Sequence, residues 1–308
     1  MMAGKMRVLI GGGTGFVGRH LRAWLGENGY QVTCISRNDG PGCISWTELV
    51  RKGLPECVAV VNVAGRNLLE PFKSFTPLYK EELYSSRIDT TENLANLIRE
   101  AKVKPKVFVS TSAVGYYPPS STAEYDEDSP GGNFDFLSGL CADWEAAGQL
   151  EPELNVRQAT VRLGVVLGRD GGAIQNMYIP FFLGVGGRIG SGKQWLPWIH
   201  VGDAAGIYAH AIENDHVSGI LNGTSPNPVT NSEFTVAFAK AMWRPAFFPL
   251  PEFVVNAVYG PERGKVLLQG QKVMPKRTLE SGYKFIFPEI DAACKECSVF
   301  IPDIKRLQ

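Results

Sequence analysis

The sequence predicts an α/β fold: a doubly wound parallel sheet, with a smaller C-terminal lobe set over the ends of its strands. Three observations carry this. Short, nearly all-apolar runs alternate with longer helix-like runs through the first half of the 308-residue chain. A glycine-rich stretch, GGGTGFVG (11–18), separates the first apolar run from the first helix-like run. The second half turns irregular and proline-rich and does not resume the alternation.

The apolar runs are MRVLIG (6–11), QVTCIS (31–36), CVAVVNVAG (57–65), KVFVSTS (106–112) and VRQATVRLGVVLG (156–168). They are rich in Val and Ile and close to continuously apolar, the pattern of strands buried on both faces of a parallel sheet. Helices are predicted between them over 16–28, 77–101 and 135–150, and this β-α alternation argues a doubly wound sheet. Further on, helices are predicted at 203–213 and 231–243 and a strand at 217–222, with Pro-rich connections at 226–228 and 245–251. The expected organisation is a nucleotide-binding layer over 6–165 and a substrate lobe over 166–308, intertwined with the first.

Charge and cysteine content narrow the partners. Lys and Arg total 31, as do Asp and Glu, and neither sign forms a block, so neither nucleic acid nor an anionic membrane is expected. No stretch approaches the ~18 apolar residues of a membrane helix, and the start of the chain, MMAGKMRVLIGGG, has no apolar signal core. Six cysteines do not make a disulfide framework, and a reducing, cytoplasmic setting is the expectation. Asn222-Gly223-Thr224 is then a chance match to the glycosylation sequon.

Gly12, Gly15 and Gly18 are spaced G-x-x-G-x-x-G directly after a strand and opening a helix, in the Rossmann-type context. Gly12 takes the tight turn, Gly15 lets backbone approach a pyrophosphate, and Gly18 lets the helix pack on the strand. Thr14, Phe16 and Val17 complete the loop, and the helix N-terminus offers N–H groups to phosphates. At the end of the second strand, where an acidic residue would bind the free ribose hydroxyl of NAD, the chain reads Cys34-Ile35-Ser36-Arg37-Asn38. The fork of Arg37 and the hydroxyl of Ser36 suit a 2′-phosphate, which favours NADP. The competing reading makes Arg37 a surface residue that begins a loop, with Asp39 two positions on.

These segments, with NVAG (62–65), SSRIDTTENL (85–94) and WIHVGDAA (198–205), resemble the extended short-chain dehydrogenase/reductase superfamily. EYDEDSPGG (124–132), RLGVVLGRDGGA (162–173) and GQKVMPKRTLESGYKF (270–285) place the resemblance in its NAD-dependent epimerase/dehydratase-like branch, over 6 to about 295. The resemblance implies further cofactor contacts. Val63 and Ala64 would line the adenine–ribose side, Glu82 and Arg87 would face phosphates and riboses, and Val165 would approach the nicotinamide. Read without it, Glu82 and Arg87 equally suit a solvated helix face. Extended members pair two long helices across a two-fold axis, so the helices at 77–101 and 135–150 imply a homodimer.

The superfamily's chemistry uses a tyrosine whose pKa is lowered by a lysine four residues on, and a serine that orients the substrate carbonyl. None of the ten tyrosines here has that lysine, and no lysine occurs from 107 to 192. The expected helix reads NFDFLSGLCADWEAA (133–147), with Phe136, Leu137 and Cys141 near the places of the pair. Ser112 matches the orienting serine, or else satisfies its own turn. Tyr116 and Tyr117 either replace the missing acid or form pocket wall.

Other motifs carry less. GRIGSGK (187–193) lacks the Ser or Thr and the following helix of a P-loop. Cys294-x-x-Cys297 has no second ligand pair at metal spacing. His200 is expected to be packed and Asp203 to cap the helix that begins there. EYDEDSP (124–130) reads as a solvated loop that would repel an anionic substrate. The sequence thus leaves two functions open: an NADP-dependent oxidoreductase or epimerase-like enzyme acting on a small molecule, and a non-catalytic NADPH-binding sensor.

Overall fold

The structure, a computed structural model, describes residues 6–299 apart from 38, 39 and 72. Asp39 and the end of the predicted lobe, 300–308, therefore lie outside the described residues. Seven parallel strands form the central sheet: β1 (Arg7–Gly11), β2 (Gln31–Ser36), β3 (Cys43–Ser45), β4 (Ala59–Asn62), β5 (Val107–Ala113), β6 (Arg157–Leu163) and β7 (Gly219–Gly223). Their spatial order is 3-2-1-4-5-6-7, so the winding direction reverses between β1 and β4. That reversal opens a crevice at the carboxyl ends of the strands, where a Rossmann-type sheet holds its ligand.

Alternate residues of each strand feed two helical layers, as the strand period of two requires. Val8, Ile10, Val61 and Val109 pack against α1 (Phe16–Glu27) and α7 (Val201–Glu213), with Leu21, Leu25, Ile207 and Tyr208 completing this core. Leu9, Val60 and Phe108 face the other way, onto α2 (Trp46–Lys52) and α4 (Ile88–Glu100) through Leu49, Leu94 and Ile98. Outside them, Tyr79 and Leu83 of α3 (Pro77–Ser85) meet Leu140 and Trp144 of α5 (Phe136–Ala147). Each large side chain so buried stabilises by about 1.5–3 kcal/mol. The lobe adds α6 (Ile174–Phe182), α8 (Asn231–Ala241), α9 (Glu252–Tyr259), α10 (Pro261–Leu268), α11 (Lys276–Glu280) and α12 (Ile290–Cys297).

Several elements differ from the sequence reading, each for a physical reason. The helix expected over 77–101 is two. The Arg87 guanidinium reaches back to the Leu83 carbonyl at 3.2 Å, and the Thr90 and Thr91 hydroxyls donate to the Ser86 and Arg87 carbonyls at 2.8 and 2.6 Å. Side chains thus satisfy the carbonyls at the break between α3 and α4. The long strand over 156–168 divides at Gly164, where a Cβ would lie 2.3 Å from the Pro197 carbonyl oxygen. Beyond it Val165–Gly168 leaves the central sheet and pairs with Trp198–His200 and Gly171–Gly172. The chain returns to the main sheet with α7 and β7, so the lobe is not one continuous piece.

Two polar expectations are corrected. His200, not Asp203, caps α7, accepting from Gly202 N–H at 3.1 Å. Asp203 is fully buried and holds the 283–287 segment, accepting from Ile286 N–H, Phe287 N–H and the Tyr283 hydroxyl at 2.7, 2.8 and 3.0 Å. The acidic segment 124–130 is not a free solvated loop. Glu124 and Asp126 pair with Lys272 and Lys276, and Asp128 with Arg277. Glu127 is buried and accepts the backbone N–H groups of Asn222, Arg277 and Thr278 at 3.0, 2.9 and 3.3 Å. These pairings also remove the reason to expect the segment to repel anions. Replacing Glu127 with Ala orphans buried donors of β7 and α11, and each such group costs about 1–3 kcal/mol. We expect Glu127→Ala to lower unfolding free energy by at least about 2 kcal/mol in urea titration, far more than Asp128→Ala, whose carboxylate is exposed.

Candidate functional site

The glycine loop follows β1 at the reversal of the sheet. Gly12 has φ +77°, and a Cβ there would lie 2.7 Å from Ala64 N and Cα. At Gly18 a Cβ would lie 2.2 Å from the Gly12 carbonyl oxygen, so α1 can approach the loop only with a bare backbone. Gly15 is the N-cap of α1 and donates to the Gly12 carbonyl at 2.9 Å. It offers no capping side chain, and the first turn contains no acidic residue. The helix's first N–H groups, with no intrahelical acceptor, are left for an anion. Thr14 is exposed at the tip. Phe16 and Val17 contribute backbone to this cradle, while their side chains point into the protein. Val17 joins the core under the sheet, and the Phe16 ring occupies the space over Gly168, Gly171 and Gly172. A Cβ at any of those three glycines would fall within 2.7 Å of the ring, which explains the glycines of RLGVVLGRDGGA.

Around the cradle, Ile35 of β2 pairs in register with Gly11, so Ser36 and the exposed Arg37 follow at the edge of the loop. Val63 and Ala64 form the opposite wall, with Val63 N–H on the Gly11 carbonyl at 2.9 Å. Buried Asn62, which sequence reasoning missed, fixes that wall: its Oδ1 accepts from Ala64 N–H at 3.1 Å and its Nδ2 donates to Thr91 at 2.7 Å. Arg87 lies behind the wall. It donates to the Arg66 carbonyl at 2.7 Å, sits over the Trp144 ring, and burial pulls its pKa down. Glu82 is engaged elsewhere, in an ion pair with Arg66 at 2.5 Å. Arg87 thus supports the 64–66 wall, and Glu82 pairs with Arg66 of the same wall.

The expected acid–base region is built differently. The Ser112 hydroxyl, at the end of β5, is buried without a conventional hydrogen-bond partner, and the weakly bonding Cys141 thiol of α5 adjoins it. Burial, with the nearby Glu145 charge, pushes that thiol up to about 12, so it is protonated and inert at neutral pH. Tyr117 is fully buried; its hydroxyl donates to Asn222 Oδ1 at 2.9 Å and accepts from Arg162 at 2.8 Å. Burial raises its pKa in spite of that guanidinium. Tyr116 presents its ring face to Arg162 at 3.5 Å and backs Gly131 and Gly132.

Both tyrosines thus have structural contacts of the wall reading, Tyr117 buried in a hydrogen-bond network and Tyr116 stacked on Arg162. Arg162 in turn holds a bidentate pair with Glu145 of α5, at 2.7 and 2.8 Å, with Arg162 only 4% exposed. Arg162 therefore faces both Glu145 and the Tyr117 hydroxyl, and its pull on the Tyr117 pKa is outweighed by burial. Sequence reasoning missed this pair, though an arginine inside the apolar run ATVRLGVV was its signal.

Beside this region an apolar pocket opens at the ends of β5 and β6, bordered by Val114, Gly115, Tyr117 and Val165 below and by the lobe above. Among the described residues one group has metal-ligating chemistry in close array: His200, Glu296 and Cys297. His200 Nδ1 accepts from Gly202, so Nε2 carries the proton and donates to Glu296 at 2.9 Å, while Arg169 takes the other carboxylate oxygen at 3.3 Å. The cluster fastens α12 to the strand pair below it.

A glycine cradle at the reversal of a 3-2-1-4-5-6-7 sheet, with a pocket over the same strand ends, is the layout of a nucleotide-dependent epimerase or dehydratase. The chain belongs to the NAD dependent epimerase/dehydratase family, whose model matches residues 8–222, and residues 250–297 match a domain of unknown function (DUF1731). It is 54% identical over 291 residues to the human "Epimerase family protein SDR39U1", covering 94% of this chain and 99% of that one. The Bacillus subtilis "Epimerase family protein YfhF" is 35% identical, over 94% and 97% of the two chains. A crystal structure of the human protein with NADPH superposes with a TM-score of 0.93 at 53% identity, covering 95% of this chain and 99% of that one.

The buried ion pair makes a sharp stability test. Removing one partner from such a pair costs about 3–5 kcal/mol because the other charge stays buried, whereas replacing both with apolar groups is near neutral. We expect Glu145→Leu to destabilise by that amount and Glu145→Leu/Arg162→Met to recover most of it in a double-mutant cycle by chemical denaturation.

Proposed function

We propose that this protein is an NADP-dependent oxidoreductase or epimerase-like enzyme acting on a small molecule held in the apolar pocket. The observation that carries the cofactor half is the cradle itself: a Cβ at Gly12 or Gly18 would strike backbone, and the open N-terminus of α1 faces the space those glycines leave. Gly12 to Gly18 would hold the pyrophosphate, Ser36 and Arg37 the 2′-phosphate, Val63 and Ala64 the adenine–ribose side, and Val165 the nicotinamide end. The cofactor supplies or accepts a hydride when bound. The NADPH in the human relative's structure supports the choice of NADP over NAD. If Arg37 reads the 2′-phosphate, NADPH binds far more tightly than NADH. Arg37→Ala is then expected to shrink that difference by about 1.5–3 kcal/mol, the scale of a charge-assisted hydrogen bond, in calorimetric titrations. Equal affinity of the unaltered protein for the two nucleotides would overturn the assignment.

The catalytic half rests on less. Ser112, whose buried hydroxyl lacks a partner at the end of β5, would orient a carbonyl. Tyr117, fully buried in the same region, has its pKa raised by that burial, which works against its acting as the acid. That specific observation favours the second reading, a protein that binds NADPH and reports its level without turnover. Loss of a positioned acid typically costs 10²–10⁴-fold in rate, so NADPH oxidation with small polar aldehydes is expected to stay at background. With an accepted substrate, Ser112→Ala lowers turnover and leaves NADPH affinity unchanged. Rapid reduction of the small aldehydes would show that another group supplies the proton.

A further inference from the structure

The pocket over the strand ends has the chemistry of a hydrocarbon site. Its walls are made chiefly by Val114, Val165, Leu167, Met177, Phe234 and Leu267, contributed by both halves of the fold. Most of the polar side chains on its border are committed to backbone, while Gln269 and Lys265 stand at the exposed rim. Gln271 Nε2 donates to the carbonyls of Val114 and Tyr117 at 2.8 and 3.3 Å. Gln194 Nε2 donates to Ile189 and Leu267 at 3.0 and 2.9 Å. Asn231 Oδ1 accepts from Ile189 N–H at 2.7 Å, and Asp135 accepts from Ser138 N–H at 2.8 Å as the cap of α5. Gln194 Oε1 alone among these groups is buried without a partner. Among the described residues Lys265 is the single cation on the border, and no arginine lines it.

A nucleoside diphosphate sugar brings two phosphates and several hydroxyls. Each that loses water without a partner costs about 1–3 kcal/mol, and charged groups cost more. One lysine and one free acceptor do not satisfy that set. Solved structures of nucleotide-sugar epimerases share the fold, among them a nucleoside-diphosphate sugar epimerase from Corynebacterium glutamicum with a TM-score of 0.76 at 27% identity. The fold leaves the substrate open, because specificity resides in the lining.

We propose that the pocket takes an uncharged, predominantly hydrocarbon molecule with one carbonyl or hydroxyl at the end that meets the cofactor. This deepens the reading of the site given above and rests on NADP occupying the glycine cradle. Apolar walls reward each methylene removed from water and give no return for a phosphate left dry.

The test titrates the NADP⁺-loaded protein with a series of 2-alkanones, from acetone upward in chain length, and with UDP-glucose, by calorimetry. The expected result is about fourfold tighter binding per added methylene until the cavity is filled, the partitioning of one methylene out of water. UDP-glucose gives no heat and does not displace a long ketone. Val266→Glu, at a partly exposed wall position that tolerates a charge, weakens the long ketone at least about tenfold while NADP⁺ affinity holds, and Met177→Glu is the second variant with the same expectation. Affinity independent of chain length, or displacement of the ketone by UDP-glucose, overturns the proposal. The two readings fail separately. A protein that does not take up NADP⁺ in the first titration defeats the cofactor assignment. Chain-length-dependent binding with no NADPH oxidation leaves the apolar pocket standing and removes the catalytic role.

Discussion

The structure turns on one close approach, that of Gly18 to the carbonyl of Gly12. With a Cβ only 2.2 Å from that oxygen, any other residue at 18 pushes α1 off the end of β1. The approach aims the helix N-terminus into the crevice where the sheet reverses, and presses Gly12 against Val63 and Ala64. It also sets the Phe16 ring, on the first turn of α1, against the hairpin of Gly168, Gly171 and Gly172. The cradle and the hairpin that begins the lobe therefore share one anchor. Moving α1 outward by the width of a methyl group disturbs both.

The second half of the site inverts the usual electrostatics while keeping similar parts. A phenol next to a cation is present, as Tyr117 and Arg162, with a carboxylate and a serine close by. In an acid–base pair the cation's charge must be free to stabilise the phenolate. Here the guanidinium is shared with Glu145 through two hydrogen bonds, and full burial outweighs its pull and favours the neutral phenol. The network holds β6, α5 and the segment after β5 in fixed relation. Its parts stabilise the pocket floor, and proton transfer is left to groups outside it.

What the sequence disclosed and what it concealed divide along the length of the interaction. The glycine spacing is legible because its demands are met within a few residues of a strand end. The buried-strand reading holds for the same reason, since each strand's own composition reports its two apolar neighbours. Glu127 was misread as solvated because its acceptors' partners lie far along the chain, at Asn222, Arg277 and Thr278. Asp203 was misread as a cap for a similar reason: the groups it binds belong to 283–287. The break at Gly164 was hidden in a run whose apolar character continues unchanged across it. Only the Pro197 carbonyl, brought there by the lobe, makes the glycine necessary.

That break links the fold to the substrate side. If β6 ran on straight from Leu163, its end would extend the sheet and leave the crevice open to water. Gly164 lets the chain step out of the sheet, and Val165 and Leu167 then pair with the strand of Trp198 and Ile199 while facing the pocket. The lobe core of Ile174, Phe181, Phe234 and Phe238 closes over them. An apolar core placed directly above the strand ends presents apolar side chains to whatever lies between, unless polar residues are set there on purpose. Gln194, Gln271 and Asn231 at the border do not fill that role, because backbone carbonyls and an N–H group of the surrounding loops occupy them. The same hydrogen bonds that let the loops be buried leave those side chains with fewer groups to offer a ligand. The pocket's apolar character thus follows from the way the lobe satisfies its backbone, as directly as the glycine loop follows from the packing of α1.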